Sequence, residues 1–225
     1  MKILGLIPAR GGSQGVPNKN IKKLNGKPLL RYTSDIALKT KLLDKLIVST
    51  DSQEIANTAL KLGIEVPFLR PSHLSKSNSP TLPVIKHALK YFSKKNIFFD
   101  AVCLLQVTSP LRSLKFLESC INKFINSNCD SLISVKSVPD HFNPHWCFES
   151  NELGYLEIST GEKQIISRRQ DLPMTYYRDG SVYITRSKII NEKNSLYGDK
   201  ITYQINPEIK HINIDTMEDW NIAES

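Results

Sequence analysis

Short apolar segments that alternate with helical patterns constrain the fold of this 225-residue chain more than any other feature. Each segment has the length and the apolar content of a strand that is buried on both faces. A chain that alternates such strands with amphipathic helices winds them into a parallel sheet covered by helices. The sequence therefore predicts a doubly wound, mostly parallel α/β fold, with core strands at Ile3–Pro8, Lys45–Thr50, Ala101–Gln106 and Ser131–Val135.

Apolar residues spaced three and four apart predict the helices between these strands. Two local signals support the helix predictions. Asp51 precedes Glu54 by three residues, as in a capping box, and Gly63 stands where the end of a helix favours a left-handed residue. The predicted helices are Pro28–Lys39, Ser52–Leu62, Leu82–Ser93 and Leu114–Asn126.

The alternating pattern breaks between Ser137 and Asp179, where prolines, histidines and short polar segments follow one another closely. We interpret the chain as one domain over residues 1–225, with 137–179 as an excursion from the sheet. After the excursion the chain is predicted to return to the sheet and to end in a helix that starts at Thr216. The returning strands are predicted at Ser181–Thr185, Ile201–Ile205 and His211–Ile214.

Composition excludes several classes of function. The four cysteines are widely spaced, without the pairs typical of zinc sites or of a disulfide framework, and we interpret them as thiols in a reducing compartment. The apolar start meets Pro8 and Arg10 too early for a signal peptide, and no later segment is long enough to span a membrane. The formal net charge of +8 comes from scattered lysines, which argues against nucleic acid as a partner. We therefore expect a cytoplasmic protein with no membrane partner.

A glycine-rich segment follows the first predicted strand directly and reads Pro8-Ala9-Arg10-Gly11-Gly12-Ser13. Glycines allow a tight turn and bring backbone N–H groups close to a ligand, while Arg10 and Lys19 add positive charge on either side. The segment lacks the Gly-Lys-Ser/Thr of a Walker loop and the glycine spacing of a dinucleotide fingerprint. It therefore predicts a site for a polyphosphate.

The segment from Leu6 to Asn20 resembles the signature of the CMP-sugar synthetases, that is, the acylneuraminate cytidylyltransferases and their relatives that act on other nonulosonic acids. Three later segments resemble further motifs of the same family, in the same order. They are Leu105–Arg112, similar to Gln-Pro-Thr-Ser-Pro-Leu-Arg, then Arg168–Pro173, and Ile214-Asp215-Thr216 with Asp219. Together the matches cover nearly the full chain.

This resemblance implies a Rossmann-like nucleotidyltransferase domain whose excursion serves dimerisation, and hence a homodimer. It also implies that CTP and a 2-keto sugar acid give the CMP-sugar and pyrophosphate, with Mg²⁺ as the cofactor. Arg10, Lys19 and Asp215 are the implied catalytic residues, and Asp215 with Asn213 the implied metal ligands. Helix capping is the alternative role for Asp215. The implied nucleotide-binding residues are Pro8, Ala9, Arg10, Gly11, Gly12, Ser13, Lys19, Asn20, Arg70 and Ser79.

The implied sugar site consists of Gln106, Arg168, Arg169, Gln170 and Tyr183. Gln106 ends the third core strand, and its amide can both donate to and accept from sugar hydroxyls. The two arginines suit a carboxylate, which a guanidinium binds with two hydrogen bonds. Packing or a dimer contact is the alternative role for Tyr183.

Departures from the family pattern leave the substrates open. Gln14 stands where a second lysine is frequent, and Asn213 where many relatives have an aspartate, so the general base is not identified. Asp179 replaces an asparagine and places a negative charge where an anionic sugar acid is expected to bind, unless Arg178 or Arg169 pairs with it. Residues 141–146 also lack the lysine expected near the sugar carboxylate. An alternative is therefore a guanylyltransferase that uses GTP and an amino-sugar 1-phosphate, and a third is a non-catalytic nucleotide-binding or RNA-binding protein. Asp51 is interpreted as a helix cap and excluded from the catalytic set.

Overall fold

The apolar segment at the start of the chain forms strand β1, Ile3–Pro8, in the computed structural model of the protein, which describes residues 1–207 and 211–225. Five of its six residues are buried. β1 pairs in parallel with β4, Lys45–Ser49, on one side and with β5, Ala101–Leu104, on the other. These three strands confirm the parallel core that the alternating pattern predicts.

Two compact units make up the chain, one of residues 1–134 and 179–225 and one of residues 135–178. A six-stranded sheet organises the first unit, in the order β10-β6-β9-β5-β1-β4. Its remaining strands are β6, Ser131–Ser137, β9, Tyr176–Arg186, and β10, Ile201–Ile205. β9 runs antiparallel to β5, with Ile184 opposite Cys103.

The strand order creates a binding crevice. From β1 the chain adds β4 on one side of the sheet and later β5 on the other, so the order reverses at β1. In open α/β sheets, ligands bind outside the carboxyl ends of the strands at such a reversal. The carboxyl ends of β1 and β5 are therefore the place at which this fold positions a site.

All four predicted helices are confirmed, with ends that differ by up to two residues. They are α1, Leu29–Ala37, α2, Gln53–Lys61, α3, Thr81–Ser93, and α4, Leu114–Asn126. A short helix, α5, Ser187–Glu192, follows β9, and α6, Met217–Glu224, ends the chain. A small antiparallel pair, β2, Lys23–Leu24, with β3, Lys27–Pro28, precedes α1.

Three local predictions have different outcomes. Gly63 has a φ of 83° directly after α2, as predicted for a helix end. The predicted capping box of Asp51 is wrong, because Ser52 is the N-cap of α2 and its hydroxyl accepts the Ile55 N–H. The strand predicted at His211–Ile214 is also wrong: these residues have no regular secondary structure, and the Ile214 N–H donates to the Thr108 carbonyl outside any ladder.

The sheet of the first unit is buried on both faces. Along β1, Ile3 and Ile7 belong to one hydrophobic cluster, while Leu4 and Leu6 belong to a second. Side chains of a strand alternate between the two faces, so each face of β1 is covered. The first cluster includes residues of α2, α4 and α6, and the second residues of α3 and α5. This two-sided burial confirms the doubly wound arrangement.

The second unit covers most of the segment in which the sequence pattern breaks. It contains a small hairpin of β7, Phe148–Ser150, and β8, Leu156–Ile158. The Trp146 indole donates to the Ile166 carbonyl at 2.5 Å and the Asn143 amide to the Pro173 carbonyl at 3.0 Å. Several large apolar side chains are exposed, among them Leu153, Tyr155, Leu156 and Met174. Within the described part of the chain, no helix has the length and apolarity needed to cross a membrane.

Candidate active site

A cleft of about 390 Å³ lies in the first unit, lined by residues that follow the carboxyl ends of β1 and β5. It is the crevice that the reversal of strand order predicts. The cleft brings together most of the predicted nucleotide residues with Gln106 and Asp215. The predicted nucleotide residues that line it are Pro8, Arg10, Ser13, Lys19, Asn20, Arg70 and Ser79.

The glycine loop, residues 8–15, is hydrogen-bonded to the end of β4 and to the residues that follow it. Ala9 is buried, and its N–H donates to the Ser49 carbonyl at 3.0 Å. The Gly11 N–H donates to the Asp51 carboxylate, also at 3.0 Å. Asp51 therefore holds the loop, a role that its interpretation as a helix cap missed. Its place directly after β4, at the ligand-binding edge of the sheet, was the signal available in the sequence.

Close packing, and not backbone strain, explains Gly15. A Cβ on Gly15 would lie 2.0 Å from the backbone oxygen of Asp215, whereas a Cβ on Gly12 would meet nothing within 4 Å. Gly11, Gly12 and Gly15 are absent from the described residues with positive φ. The loop thus needs glycine at position 15 so that the backbone of Asp215 can approach it.

Arg10 links the glycine loop to the segment that precedes α3. Its Nη1 donates to the carbonyls of Lys76 and Ser77, at 2.9 Å in both cases. The buried Asn20 amide donates to the Arg10 carbonyl at 2.8 Å and so fixes the backbone of that residue. A guanidinium has five N–H donors, so Arg10 can bridge these carbonyls and still bind an anion.

Lys19 and Asp215 form an ion pair in the cleft. The Lys19 Nζ lies 3.1 Å from Asp215 Oδ1 and donates to the Ile214 carbonyl at 2.8 Å. The Lys19 side chain is 13% exposed and that of Asp215 62% exposed. The carboxylate is therefore open to a ligand, while the ammonium group is held against the backbone of the same segment.

The cap of α6 positions Asp215 without using its side chain. Thr216 is the N-cap, and the Asp219 carboxylate accepts the N–H groups of Asp215 and Thr216 at 2.9 and 2.8 Å. These backbone hydrogen bonds lower the pKa of Asp219. Helix capping, the alternative role for Asp215, thus belongs to Thr216 and Asp219.

One exposed carboxylate, that of Asp215, is available to a Mg²⁺ ion that a substrate would share. Mg²⁺ takes one or two carboxylates and completes its shell with phosphate oxygens and water. Among the residues that the structure describes, no group of three or more His, Cys, Asp or Glu side chains could hold a metal ion. Asn213 donates its amide N–H to Asp215 Oδ2 at 2.6 Å, so its oxygen faces away from that carboxylate. Asn213 can act as a ligand only if its amide turns.

Arg70 adds a third positive charge to the cleft, after Arg10 and Lys19. It is buried, and its Nε donates to the Ser49 hydroxyl at 3.1 Å and its Nη2 to the Ser49 carbonyl. The pKa of Arg70 is lowered to about 10, mainly by burial and to a smaller extent by Arg10, while Asp51 opposes this shift. Arg70 therefore remains charged at neutral pH.

Gln106 is held by the buried Arg112, whose Nη2 donates to the Gln106 carbonyl at 3.1 Å and whose Nε donates to the Ser181 carbonyl at 2.8 Å. The pKa of Arg112 is lowered to about 10 by burial, which Cys103 and, to a smaller extent, Asp179 oppose. Arg112 thus shapes the loop after β5, while the Gln106 side chain lines the cleft.

Asp179 is part of the core of the first unit. It is 3% exposed and accepts hydrogen bonds from the Ser134 hydroxyl, from the Ser181 N–H at 2.9 Å and from the Asn206 amide at 2.6 Å. With Arg112 nearby, its charge is balanced inside the protein. The expectation that Asp179 opposes an anionic sugar is therefore wrong.

The predicted sugar residues are distributed over both units. Tyr183 is buried among apolar side chains of β1, β5 and α3, opposite Leu104, so its assignment to the sugar site is corrected to a core position. Arg168, Arg169 and Gln170 belong to the second unit. Arg168 is 2.7 Å from Asp171, and Arg169 is 2.6 Å from Asp140.

Comparison with known proteins gives a consistent assignment. The model of the family described as Cytidylyltransferase matches residues 4–222. A pseudaminic acid cytidylyltransferase of Campylobacter jejuni is 32% identical over 99% of this chain and 95% of its own length. A CMP-N,N'-diacetyllegionaminic acid synthase of Legionella pneumophila is 34% identical over 100% of this chain and 95% of its own. A CMP:2-keto-3-deoxy-manno-octonic acid synthetase solved with CTP has the same fold, with a TM-score of 0.73 at 13% identity over 100% of this chain and 97% of its own.

Proposed function

Because this chain belongs to the cytidylyltransferase family, we propose that it transfers CMP from CTP to a nonulosonic acid, the class of sialic, legionaminic and pseudaminic acids, and releases pyrophosphate. The observation that carries the proposal is the convergence of Arg10, Lys19, Arg70 and Asp215 on one cleft at the reversal of strand order. Three cations suit a triphosphate, and an exposed carboxylate suits the metal ion that accompanies it.

The proposed reaction displaces pyrophosphate at the α-phosphorus of CTP. The anomeric hydroxyl oxygen of the sugar acid forms a bond to that phosphorus, the bond to the bridging oxygen breaks, and the hydroxyl proton is released. Catalysis of such a transfer depends on in-line positioning and on stabilising the charge that gathers on the phosphate oxygens. We assign this stabilisation to Arg10 and Lys19, the former braced by two carbonyls and the latter held beside Asp215.

We propose Asp215 as the Mg²⁺ ligand, with Asn213 as its hydrogen-bonding neighbour. When bound, Mg²⁺ neutralises charge on the phosphate oxygens. The Asp215 carboxylate is 62% exposed and its backbone is fixed by Asp219. A carboxylate that is accessible but fixed in direction is what a metal shared with a substrate requires.

The guanylyltransferase alternative loses one of the two observations that favoured it, the negative charge of Asp179; the other, the lack of a lysine in residues 141–146, is unaffected. Asp179 suggested a site that repels an acidic sugar, but its charge is buried and paired in the core. Gln106 provides an uncharged amide for sugar hydroxyls. An acidic sugar is thus compatible with the cleft.

We also propose that the protein is a cytoplasmic homodimer. The second unit exposes large apolar side chains, and such exposure marks an interaction surface in a folded protein. All four cysteines are free thiols, which suits a reducing compartment. Light scattering during gel filtration tests the dimer, for which a mass of twice 25.5 kDa is expected. A mass of one chain contradicts it.

The substrate class is tested by incubating the protein with CTP, Mg²⁺ and, separately, sialic, legionaminic and pseudaminic acid. Mass spectrometry of the products should show the CMP-sugar with at least one of the three acids. Formation of no CMP-sugar with any of them, by protein that binds CTP, contradicts the proposed acceptor.

A further inference from the structure

Asp51 lies two residues after the end of β4, at the same edge of the sheet as the glycine loop. We propose that Asp51 is a positioning residue, which fixes the glycine loop through the Gly11 N–H and thereby places Arg10 for the triphosphate. The hydrogen bond joins residues 40 positions apart at 3.0 Å. This inference rests on the proposed role of the cleft as the triphosphate site.

Helix α2 leaves the Asp51 carboxylate available for this role. Ser52 caps the helix through its hydroxyl, and the Thr50 hydroxyl accepts the Ser52 N–H at 3.1 Å. The N–H groups at the start of α2 therefore donate to the hydroxyls of Thr50 and Ser52, and not to Asp51. The side chain of Asp51 reaches the loop instead, close enough to Gly11 that a Cβ there would lie 3.9 Å from Asp51 Oδ2.

The Asp51 carboxylate also acts on the buried Arg70. It raises the pKa of Arg70, whereas burial and Arg10 lower that pKa. The anchor itself is the hydrogen bond to the Gly11 N–H, which needs an acceptor oxygen but not a negative charge.

The hydrogen bond to Asp51 determines which groups of the loop can bind phosphate. Because the Gly11 N–H donates to Asp51, it is not available to a phosphate oxygen while this bond persists. The triphosphate is then bound by the side chains of Arg10, Lys19 and Arg70 and by other N–H groups of the loop. Gly11 therefore binds Asp51 through its N–H and does not bind the triphosphate.

The test compares Asp51→Ala with Asp51→Asn, using calorimetry of CTP binding without sugar. Asp51→Ala should weaken CTP binding by about tenfold or more, the scale for losing a hydrogen bond to a charged group. Asp51→Asn should stay within about threefold of wild type, because its amide oxygen can accept the Gly11 N–H. The KM for the sugar acid should change little in either variant.

Asp35→Ala is the matched control, since it removes an exposed carboxylate that pairs only locally with Arg31 on α1. Its CTP affinity should equal that of wild type. An unchanged affinity in Asp51→Ala, or equal losses in the alanine and asparagine variants, would overturn the inference. If the wild type itself does not bind CTP, the proposed function fails instead.

Amide hydrogen exchange provides a second measurement that does not require the alanine variant to fold. The Gly11 amide should be protected in wild type and in Asp51→Asn without any nucleotide present. A rapidly exchanging Gly11 amide in folded wild-type protein contradicts the anchor directly.

Discussion

Replacing Gly15 with alanine tests whether the glycine loop and the Asp215 segment must touch. The new Cβ would lie 2.0 Å from the Asp215 carbonyl oxygen, whereas ordinary contacts begin at 3.4 Å, so the two backbones must separate by about 1.4 Å. Asp215 cannot retreat easily, because its N–H is bound to Asp219 and the Ile214 N–H to the Thr108 carbonyl.

The separation should reduce catalysis more than stability. Lys19 lies on the loop side and contacts Ile214 and Asp215, so the movement misplaces the ammonium group relative to the carboxylate. A misplacement of this size lowers kcat/KM by about 100-fold. Overpacking of this kind costs about 1–3 kcal/mol, and in a chain of this length that lowers the Tm by roughly 2–12 °C.

The assay measures pyrophosphate release as a function of CTP, together with Tm by scanning calorimetry. Gly12→Ala is the matched control for folding, since its Cβ would meet no heavy atom within 4 Å, and its Tm should remain within about 2 °C of wild type. If Gly15→Ala keeps both the Tm and the kcat/KM of wild type, the contact between the loop and Asp215 has no functional importance.

Three further predictions concern single side chains. Arg10→Ala should lower turnover by at least about 100-fold, the scale for losing one electrostatic stabiliser. Arg10→Lys should not restore it, because an ammonium that donates to the carbonyls of Lys76 and Ser77 lacks the further paired donors with which a guanidinium binds a phosphate; recovery of activity in the lysine variant refutes the need for a guanidinium. Asp215→Asn should also lower turnover by at least about 100-fold. It should weaken the binding of Mn²⁺, measured by electron paramagnetic resonance with CTP present. Unchanged Mn²⁺ binding refutes the role of Asp215 as a metal ligand. The pKa of Asp219 is lowered in the folded state by backbone N–H groups, so its contribution to stability is present above its unfolded pKa of about 4 and is lost as the pH falls through the folded value. The Tm difference between wild type and Asp219→Asn should therefore be larger at pH 6 than at pH 3, and a difference independent of pH contradicts this.

The parallel core could be predicted because its strands are continuous apolar segments. A strand that is apolar on both faces must be buried on both, and in an α/β fold helices cover the two faces. Ile3–Pro8 and Lys45–Ser49 show this directly. His211–Ile214 shows the limit of the same reasoning. Ile214 is buried, as its apolar character predicts, but its N–H bonds to a loop carbonyl instead of a neighbouring strand. A short alternating segment does not by itself distinguish these outcomes.

The charged residues of the site could be predicted, because they lie in recognisable sequence motifs. The contacts that hold those residues in place could not. Arg10, Lys19 and Asp215 meet in one cleft, as the motifs imply. The position of Asp51 after β4 placed it at the ligand-binding edge, but its partner Gly11 lies 40 positions away, so the sequence did not indicate the contact itself. Asp179 was misjudged for the same reason, because the hydrogen-bond donors that balance its charge come from strands and loops distant in sequence.

One measurement decides whether this chain transfers CMP from CTP to a nonulosonic acid. It is the specificity constant for pyrophosphate release with each of the four nucleoside triphosphates, determined with Mg²⁺ and a panel of nonulosonic acids and sugar 1-phosphates. We expect activity with CTP and a nonulosonic acid, and a kcat/KM for GTP at least about 100-fold lower. Pyrophosphate release that requires GTP and a sugar 1-phosphate would contradict it.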